Sequence, residues 1–169
     1  MSLRIRNINT QFQKMNILNK LIYINLLLFL TFGLLDVISF VLGLNIKIPL
    51  NKLALPSNID TLIQQPWSFI SYMFLHNGFL HLLFNLIWLH FSGKLFLQYL
   101  NSKQLLSTYI LGGISGGILF IISYNYIPNL QHIASEGSAI GASASVFAIM
   151  IAASTYAPNY SIQFPFIGR

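Results

Sequence analysis

The sequence contains very few charged residues. Only 7% of its 169 residues are Asp, Glu, Lys or Arg, whereas 55% are hydrophobic. A soluble globular domain carries roughly 25% charged residues, because its surface must be hydrated. Nine basic and three acidic side chains cannot cover such a surface. The composition therefore excludes a soluble globular protein and indicates a protein that lies in a lipid bilayer.

Cysteine is absent, which excludes disulfide bonds and thiolate metal sites. We expect no metal and no cofactor. The net charge of +6 does not indicate a nucleic-acid partner, because the basic residues separate apolar runs and do not form a patch. We expect the first apolar run to be a retained span and not a cleaved signal peptide. The apolar region of such a peptide has about 7–15 residues, and the first apolar run here has 24, over residues 21–44.

Four apolar runs approach or exceed the length of about 20 helical residues that crosses a bilayer. They cover residues 21–44, 79–97, 105–122 and 140–157. The spans must be helical, since lipid offers no hydrogen-bond partner to an open backbone. The sequence therefore predicts an all-α polytopic helical bundle. A cytoplasmic segment, residues 1–20, precedes a membrane domain over residues 21–169.

The segment between the first two spans, residues 45–77, is unusually apolar for a loop. Pro49, Pro56 and Pro66 prevent a single continuous helix there. We expect short helical pieces that pack in the outer interface, because these side chains would otherwise form a large apolar patch in water. The loop over residues 123–139 is more polar and is predicted to be irregular and flexible.

The distribution of positive charge predicts the orientation. If the N-terminus is cytoplasmic, seven basic residues lie on the inner side and two lie on the outer side, which satisfies the positive-inside rule. The inner set is Arg4, Arg6, Lys14, Lys20, Lys94, Lys103 and Arg169, and the outer set is Lys47 and Lys52.

Polar residues inside a span are costly and often functional. His81 and Asn85 are four residues apart, so they share one face of the second span, and Trp88 shares that face. His90 is about half a turn out of phase and points elsewhere. On the residues alone, the His81–Asn85 pair fits either a functional site or a structural hydrogen bond between helices.

Two serines are candidates for a nucleophile. Ser143, in Gly141-Ala142-Ser143, lies near the start of the fourth span, where unpaired backbone N–H groups can stabilise an oxyanion. The alternative for Ser143 is a small-residue packing face. Ser115 matches G-x-S-G literally, but it lies among glycines in the middle of the third span. Helical N–H groups are already paired there, so we interpret Ser115 as part of a packing surface.

The second span and the loop before it resemble the rhomboid family of intramembrane proteases. That family has H-x-x-x-N on its second span and another histidine five residues earlier, and His81, Asn85 and His76 match those positions. Trp67 lies where the family has the tryptophan of a W-R motif, although Ser68 replaces the arginine. The resemblance covers about residues 20–169.

The fourth span resembles the nucleophile segment of the same family. Gly141-Ala142-Ser143 matches G-x-S-G except that Ala144 replaces the second glycine, and Phe147 lies where some members have a tyrosine. The resemblance implies a six-helix core, of which this chain supplies four spans, and a Ser–His dyad that cleaves substrates within the membrane. Ser143 would be the nucleophile, with His81 and Asn85 stabilising the oxyanion.

In this family the general base is a histidine on the sixth span. The chain stops at Arg169, after the fourth span, so we expect that histidine to lie beyond it and this fragment alone to be inactive. The partners implied are the lipid bilayer and transmembrane protein substrates, and the location implied is a bacterial inner membrane. Two alternatives are an inactive rhomboid-like protein that binds membrane clients and a small channel or transporter. The latter should show repeat symmetry or broken helices, which the sequence lacks.

Overall fold

The fold is a bundle of apolar helices joined by short elements. The structure, a computed structural model, describes residues 15–43, 50–133 and 137–159. The long helices are α1 (Ile17–Val41), α4 (Phe79–Tyr99), α5 (Ser102–Tyr126) and α7 (Ser143–Tyr156). The short elements are β1 (Leu55–Pro56), α2 (Ile59–Gln64), α3 (Ser68–Ser71), α6 (Pro128–Gln131) and β2 (Ser138–Ala139). The predicted all-α polytopic bundle is therefore confirmed.

Among the described residues, three helices are long and apolar enough to cross a membrane, namely α1, α4 and α5. Helix α7 has 14 residues, which gives about 21 Å of helix against a hydrocarbon core of about 30 Å. The span predicted over residues 140–157 begins three residues too early, because the helix starts at Ser143. Ser138 and Ala139 pair with Pro56 and Leu55 in a two-stranded sheet, and the chain turns at Gly141 before it becomes helical.

Local hydrogen bonds explain two other boundaries. Helix α1 begins at Ile17, before the predicted boundary at residue 20, because the Asn16 side chain accepts the N–H of Asn19 at 2.8 Å. Helix α5 continues to Tyr126, four residues beyond the predicted end of the third span. Asn125 stays helical there and donates its side-chain amide to the Ser57 carbonyl at 2.8 Å. The loop predicted over residues 123–139 therefore contains the end of α5, α6 and β2.

The connection between α1 and α4 consists of short helical pieces, as predicted, over its described part. It contains a 3-10 turn (Leu50–Lys52), α2, α3 and a second 3-10 turn (Tyr72–Phe74). Side chains hold these pieces together, since Ser71 donates to the Leu53 carbonyl at 2.6 Å and Trp67 donates to the Lys52 carbonyl at 2.8 Å. Pro49 and Lys47 lie outside the described residues.

Helix α7 packs chiefly against α5 and α4. Gly112 and Gly116 of α5 face Ala148 and Ala144 of α7 so closely that a Cβ on either glycine would overlap the alanine side chain. The glycines therefore form the predicted contact between helices. Ser115 itself does not contribute to it, because its side chain is exposed on another face of α5.

Candidate active site

Ser143 is the first residue of α7. The first helical hydrogen bond runs from the Val146 N–H to the Ala142 carbonyl at 2.9 Å. The N–H groups of the three residues from Ser143 onward consequently have no acceptor within the helix. The Ser143 side chain is exposed. Ser143 therefore combines an accessible hydroxyl with a helix N-terminus that favours negative charge.

The three predicted site residues, Ser143, His81 and Asn85, line one cavity. Its volume is about 410 Å³, and it lies between α4 and α7. The lining residues are His81, Phe84, Asn85, Trp88, Ser143, Val146, Phe147 and Met150. Polar groups therefore converge at one point of a largely apolar cleft, which is the usual character of a small binding or active site.

Gly141 lies between His81 and Ser143. Its φ of +123° is a conformation that favours glycine, and its N–H donates to the Tyr72 carbonyl at 2.9 Å. A Cβ at this position would lie 2.7 Å from His81 Nε2 and 3.9 Å from Ser143 Oγ. The missing side chain thus allows the imidazole and the serine hydroxyl to border the same small volume.

The hydrogen bond at Nδ1 determines which tautomer the neutral His81 ring adopts. The Asn77 N–H donates to His81 Nδ1 at 3.3 Å, so Nδ1 is an acceptor and the neutral ring carries its proton on Nε2. Nε2 is the nitrogen that approaches Gly141. In this tautomer His81 can donate a hydrogen bond towards Ser143, but it cannot take a proton through Nε2.

Asn85 lies one turn further along α4 and is 7% exposed. Its side-chain amide donates one hydrogen bond to the His81 carbonyl at 2.9 Å. An amide nitrogen carries two hydrogens, so one donor is left for a group in the cavity. The His81–Asn85 face therefore presents hydrogen-bond donors to the volume in front of Ser143.

His76 packs behind His81, with the two rings edge to face and their centroids 5.1 Å apart. Burial, and to a lesser extent the neighbouring His81, lowers the pKa of His76 to about 4, although the Phe74 backbone opposes the shift. His76 is therefore neutral in the folded protein at pH 7.

The low pKa of His76 predicts a loss of stability in acid. An unfolded histidine titrates near 6.5 and the folded one near 4, so the unfolded state binds more protons between these values. Stability should then fall as the pH is lowered from 6.5 towards 4. Thermal unfolding measured across this range should show a smaller decline for His76→Phe than for the wild type.

The exposed His132 provides the control, since His132→Phe should leave the pH profile unchanged. Parallel profiles for the wild type and His76→Phe would contradict the prediction.

The other histidines and the neighbouring Ser145 lie away from the cavity. His90 packs its ring against Phe91 with centroids 5.8 Å apart, and His132 is exposed beyond α6. Ser145 is fully buried against α5, so it does not share the position of Ser143. Within residues 15–43, 50–133 and 137–159, no group of three or more His, Cys, Asp or Glu side chains could hold a metal.

Sequence reasoning did not identify several residues of the cavity wall. Phe84 follows His81 by three residues, and Val146 and Met150 follow Ser143 by three and seven. Residues at these spacings lie on one helical face. These residues could have been predicted by following the helical face of His81 along α4 and the helical face of Ser143 along α7.

The family model of the Rhomboid domain matches residues 63–168, which is more than half of the chain. The chain belongs to the rhomboid family. The matched residues include α4, α5, α7 and every residue of the cavity, whereas α1 precedes them. No curated protein and no solved structure matches the chain. Rhomboid proteins are intramembrane serine proteases as a family, and the apolar helices of this member fit a lipid bilayer.

Proposed function

We propose that this rhomboid protein is the part of an intramembrane serine endopeptidase that carries the nucleophile and the oxyanion donors. Ser143 is the nucleophile, and His81 and Asn85 stabilise the oxyanion. The observation that carries the proposal is the shared cavity, in which the exposed serine at a helix N-terminus faces a histidine Nε2–H and an asparagine amide. Residues 21–169 form the membrane domain that holds this site.

The reaction begins when Ser143 Oγ attacks the scissile carbonyl carbon and gives its proton to a general base. Negative charge then develops on the carbonyl oxygen, where the Ser143 N–H, His81 Nε2–H and the free Asn85 amide N–H can donate to it. The intermediate collapses to an acyl-enzyme when the base returns the proton to the leaving amine. In the second half, water attacks the acyl carbon and gives a proton to the base. The bond between the acyl carbon and Ser143 Oγ then breaks, and the base returns the proton to Ser143 Oγ.

The general base is a histidine outside this chain. Among the described residues, His81 is the one histidine in the cavity wall, and its Nδ1 already accepts a hydrogen bond. This arrangement suits a donor to the oxyanion. Serine without an adjacent base is a weak nucleophile, so the 169-residue chain alone is inactive.

The cavity wall supports an apolar, membrane-embedded substrate. Phe84 and Phe147 are each 58% exposed at its edges, and Trp88 is partly exposed. A transmembrane segment that has unwound locally presents both apolar side chains and a free carbonyl to such a cleft. Transmembrane proteins are therefore the proposed substrate class.

The test is cleavage of a single-span reporter protein in proteoliposomes. The intact protein that carries this chain together with the general base should cleave the reporter, and the 169-residue chain should not. The second candidate is an inactive rhomboid-like protein that binds membrane clients, which the lack of a second histidine in the described cavity wall favours. Binding of the reporter by the intact protein without cleavage would establish that candidate. Cleavage by the fragment would overturn the assignment of the base.

We also propose that the protein lies in a bacterial inner membrane with its N-terminus in the cytoplasm. The excess of Lys and Arg on the predicted inner side supports this orientation. Topology reporters fused after Leu55 and after Lys103 should report the outer and the inner side, respectively, because one membrane span, α4, separates these positions. If both fusions report the same side, the proposed topology is wrong.

A further inference from the structure

A second cavity, of about 290 Å³, lies beside α1 on the far side of the turn that precedes α4. Helix α1 contributes Phe29, Phe32, Gly33 and Asp36 to its wall. These residues have the spacing i, i+3, i+4 and i+7, so they form one face of the helix. The rest of the lining comes from Leu50, Ile140 and residues 74–78, among which His76 and Asn77 are polar. We refer to this cavity as the vestibule.

Asp36 gives the vestibule a carboxyl group within an apolar helix. It lies five residues before the end of α1, which is about 7.5 Å along the helix. Acidic residues in a membrane span are rare, and they usually face a water-filled cavity or a charged partner. The described residues provide no ion-pair partner for Asp36, and its helical face opens on the vestibule.

His76 gives a second and independent indication of water. Both of its ring nitrogens are buried, and neither makes a hydrogen bond of good geometry with a described residue. A neutral imidazole has one donor and one acceptor to satisfy, and ordered water is the usual partner of such a buried group. The vestibule far exceeds the ~30 Å³ that one water molecule occupies.

His76 also connects the two cavities. It lines the vestibule, and its ring meets the ring of His81, which lines the cavity of Ser143. We infer that the vestibule is filled with water, held between Asp36 and His76, and that it brings water to the back of the candidate active site. Its use as the source of the hydrolytic water rests on the proposed function. The α1 wall lies outside the residues that match the Rhomboid domain.

The absence of cysteine from the chain allows a direct test of hydration. Gly33→Cys places a thiol in the vestibule wall, where nothing lies within 4 Å of the new Cβ. The matched control is Leu34→Cys, because Leu34 is the next residue of α1, faces away from the vestibule and is 60% exposed. A charged methanethiosulfonate reagent attacks only a hydrated thiolate, and a thiol in lipid stays protonated.

In proteoliposomes at fixed pH, labelling of Gly33→Cys should be faster than that of Leu34→Cys by on the order of 100-fold. Adding Asp36→Leu to Gly33→Cys should reduce the labelling rate, because the carboxyl group that retains water is removed. Slow labelling at both positions would show a dry vestibule and overturn the inference. Fast labelling at both positions would also overturn it, since water would then surround α1 without a defined vestibule.

The supply of water to the reaction is tested in the intact protein. Modification of Gly33→Cys should remove most of its cleavage activity, and a thiol reductant that releases the label should restore it. Leu34→Cys, modified by an uncharged membrane-permeant reagent, should retain its activity. Full modification of Gly33→Cys with unchanged cleavage would overturn the supply of water through the vestibule. If the wild-type protein does not cleave, the proposed function fails, and the labelling rates still decide whether the vestibule is hydrated.

Discussion

Cleavage by the intact protein should fall to the detection limit when Ser143 is replaced by alanine. The loss of a serine nucleophile costs on the order of 10⁶ in kcat in a well-studied soluble protease. Ser143 provides the exposed hydroxyl at the N-terminus of α7, beside the His81 and Asn85 donors. The rate of reporter cleavage should be measured beside thermal stability, which should not change because the side chain is exposed.

Two serines serve as matched controls for Ser143→Ala. Ser145 is fully buried and its hydroxyl lacks a partner among the described residues, so Ser145→Ala should preserve cleavage and leave stability unchanged or raised. Ser115 is exposed on a different face of α5, so Ser115→Ala should preserve both. Loss of cleavage in Ser145→Ala, with Ser143→Ala active, would move the nucleophile to Ser145.

The oxyanion donors should have smaller effects than the nucleophile. Removing one donor costs roughly 10²–10³ in rate in a comparable soluble enzyme. We expect a smaller loss than this for Asn85→Ala, because His81 and the Ser143 backbone still donate. If Asn85 only ties the structure together through its bond to the His81 carbonyl, its variant should lose thermal stability together with activity.

Gly141→Ala should cause the second largest loss, about 10²-fold in cleavage rate if the methyl group displaces the reacting groups by about 1 Å. The new Cβ would lie 2.7 Å from His81 Nε2, so the ring must move away from the oxyanion position. The φ of +123° adds strain, because side chains rarely adopt that conformation. Cleavage should therefore fall far more than the small loss of stability accounts for.

Gly33→Ala is the control for Gly141→Ala. Gly33 is helical and has open space around its ideal Cβ, and alanine favours a helix over glycine by about 1 kcal/mol. Thermal stability should rise slightly, and cleavage should be retained. Equal cleavage by Gly141→Ala and the wild type would show that His81 does not have to occupy its position beside Gly141.

The sequence predicts the transmembrane architecture well because bilayer constraints are simple. A long apolar run must be helical, and α1, α4 and α5 follow from that rule. The boundaries depend on contacts that hydropathy does not contain. Helix α7 starts late because Ser138 and Ala139 pair with β1, and α5 continues to Tyr126, where Asn125 bonds to the distant Ser57.

At the candidate site too, the sequence predicts local features but does not predict contacts between helices. The spacing of His81, Asn85 and Trp88 predicts one helical face, and the structure places all three in the cavity wall. The approach of His81 Nε2 to Gly141 requires the arrangement of α4 against α7, which no local pattern contains. The vestibule is similar, because Asp36 and His76 are 40 residues apart in the sequence and line one cavity only after α1 has packed against the bundle.

The most direct test of the central claim is the site of covalent modification by a serine-reactive fluorophosphonate. The intact protein, reconstituted in liposomes, would be treated with the reagent and mapped by mass spectrometry. The proposed site predicts a single adduct on Ser143, formed in parallel with the loss of cleavage, and no adduct in Ser143→Ala. An adduct on Ser145 or Ser115, or full inactivation with Ser143 unmodified, would contradict it.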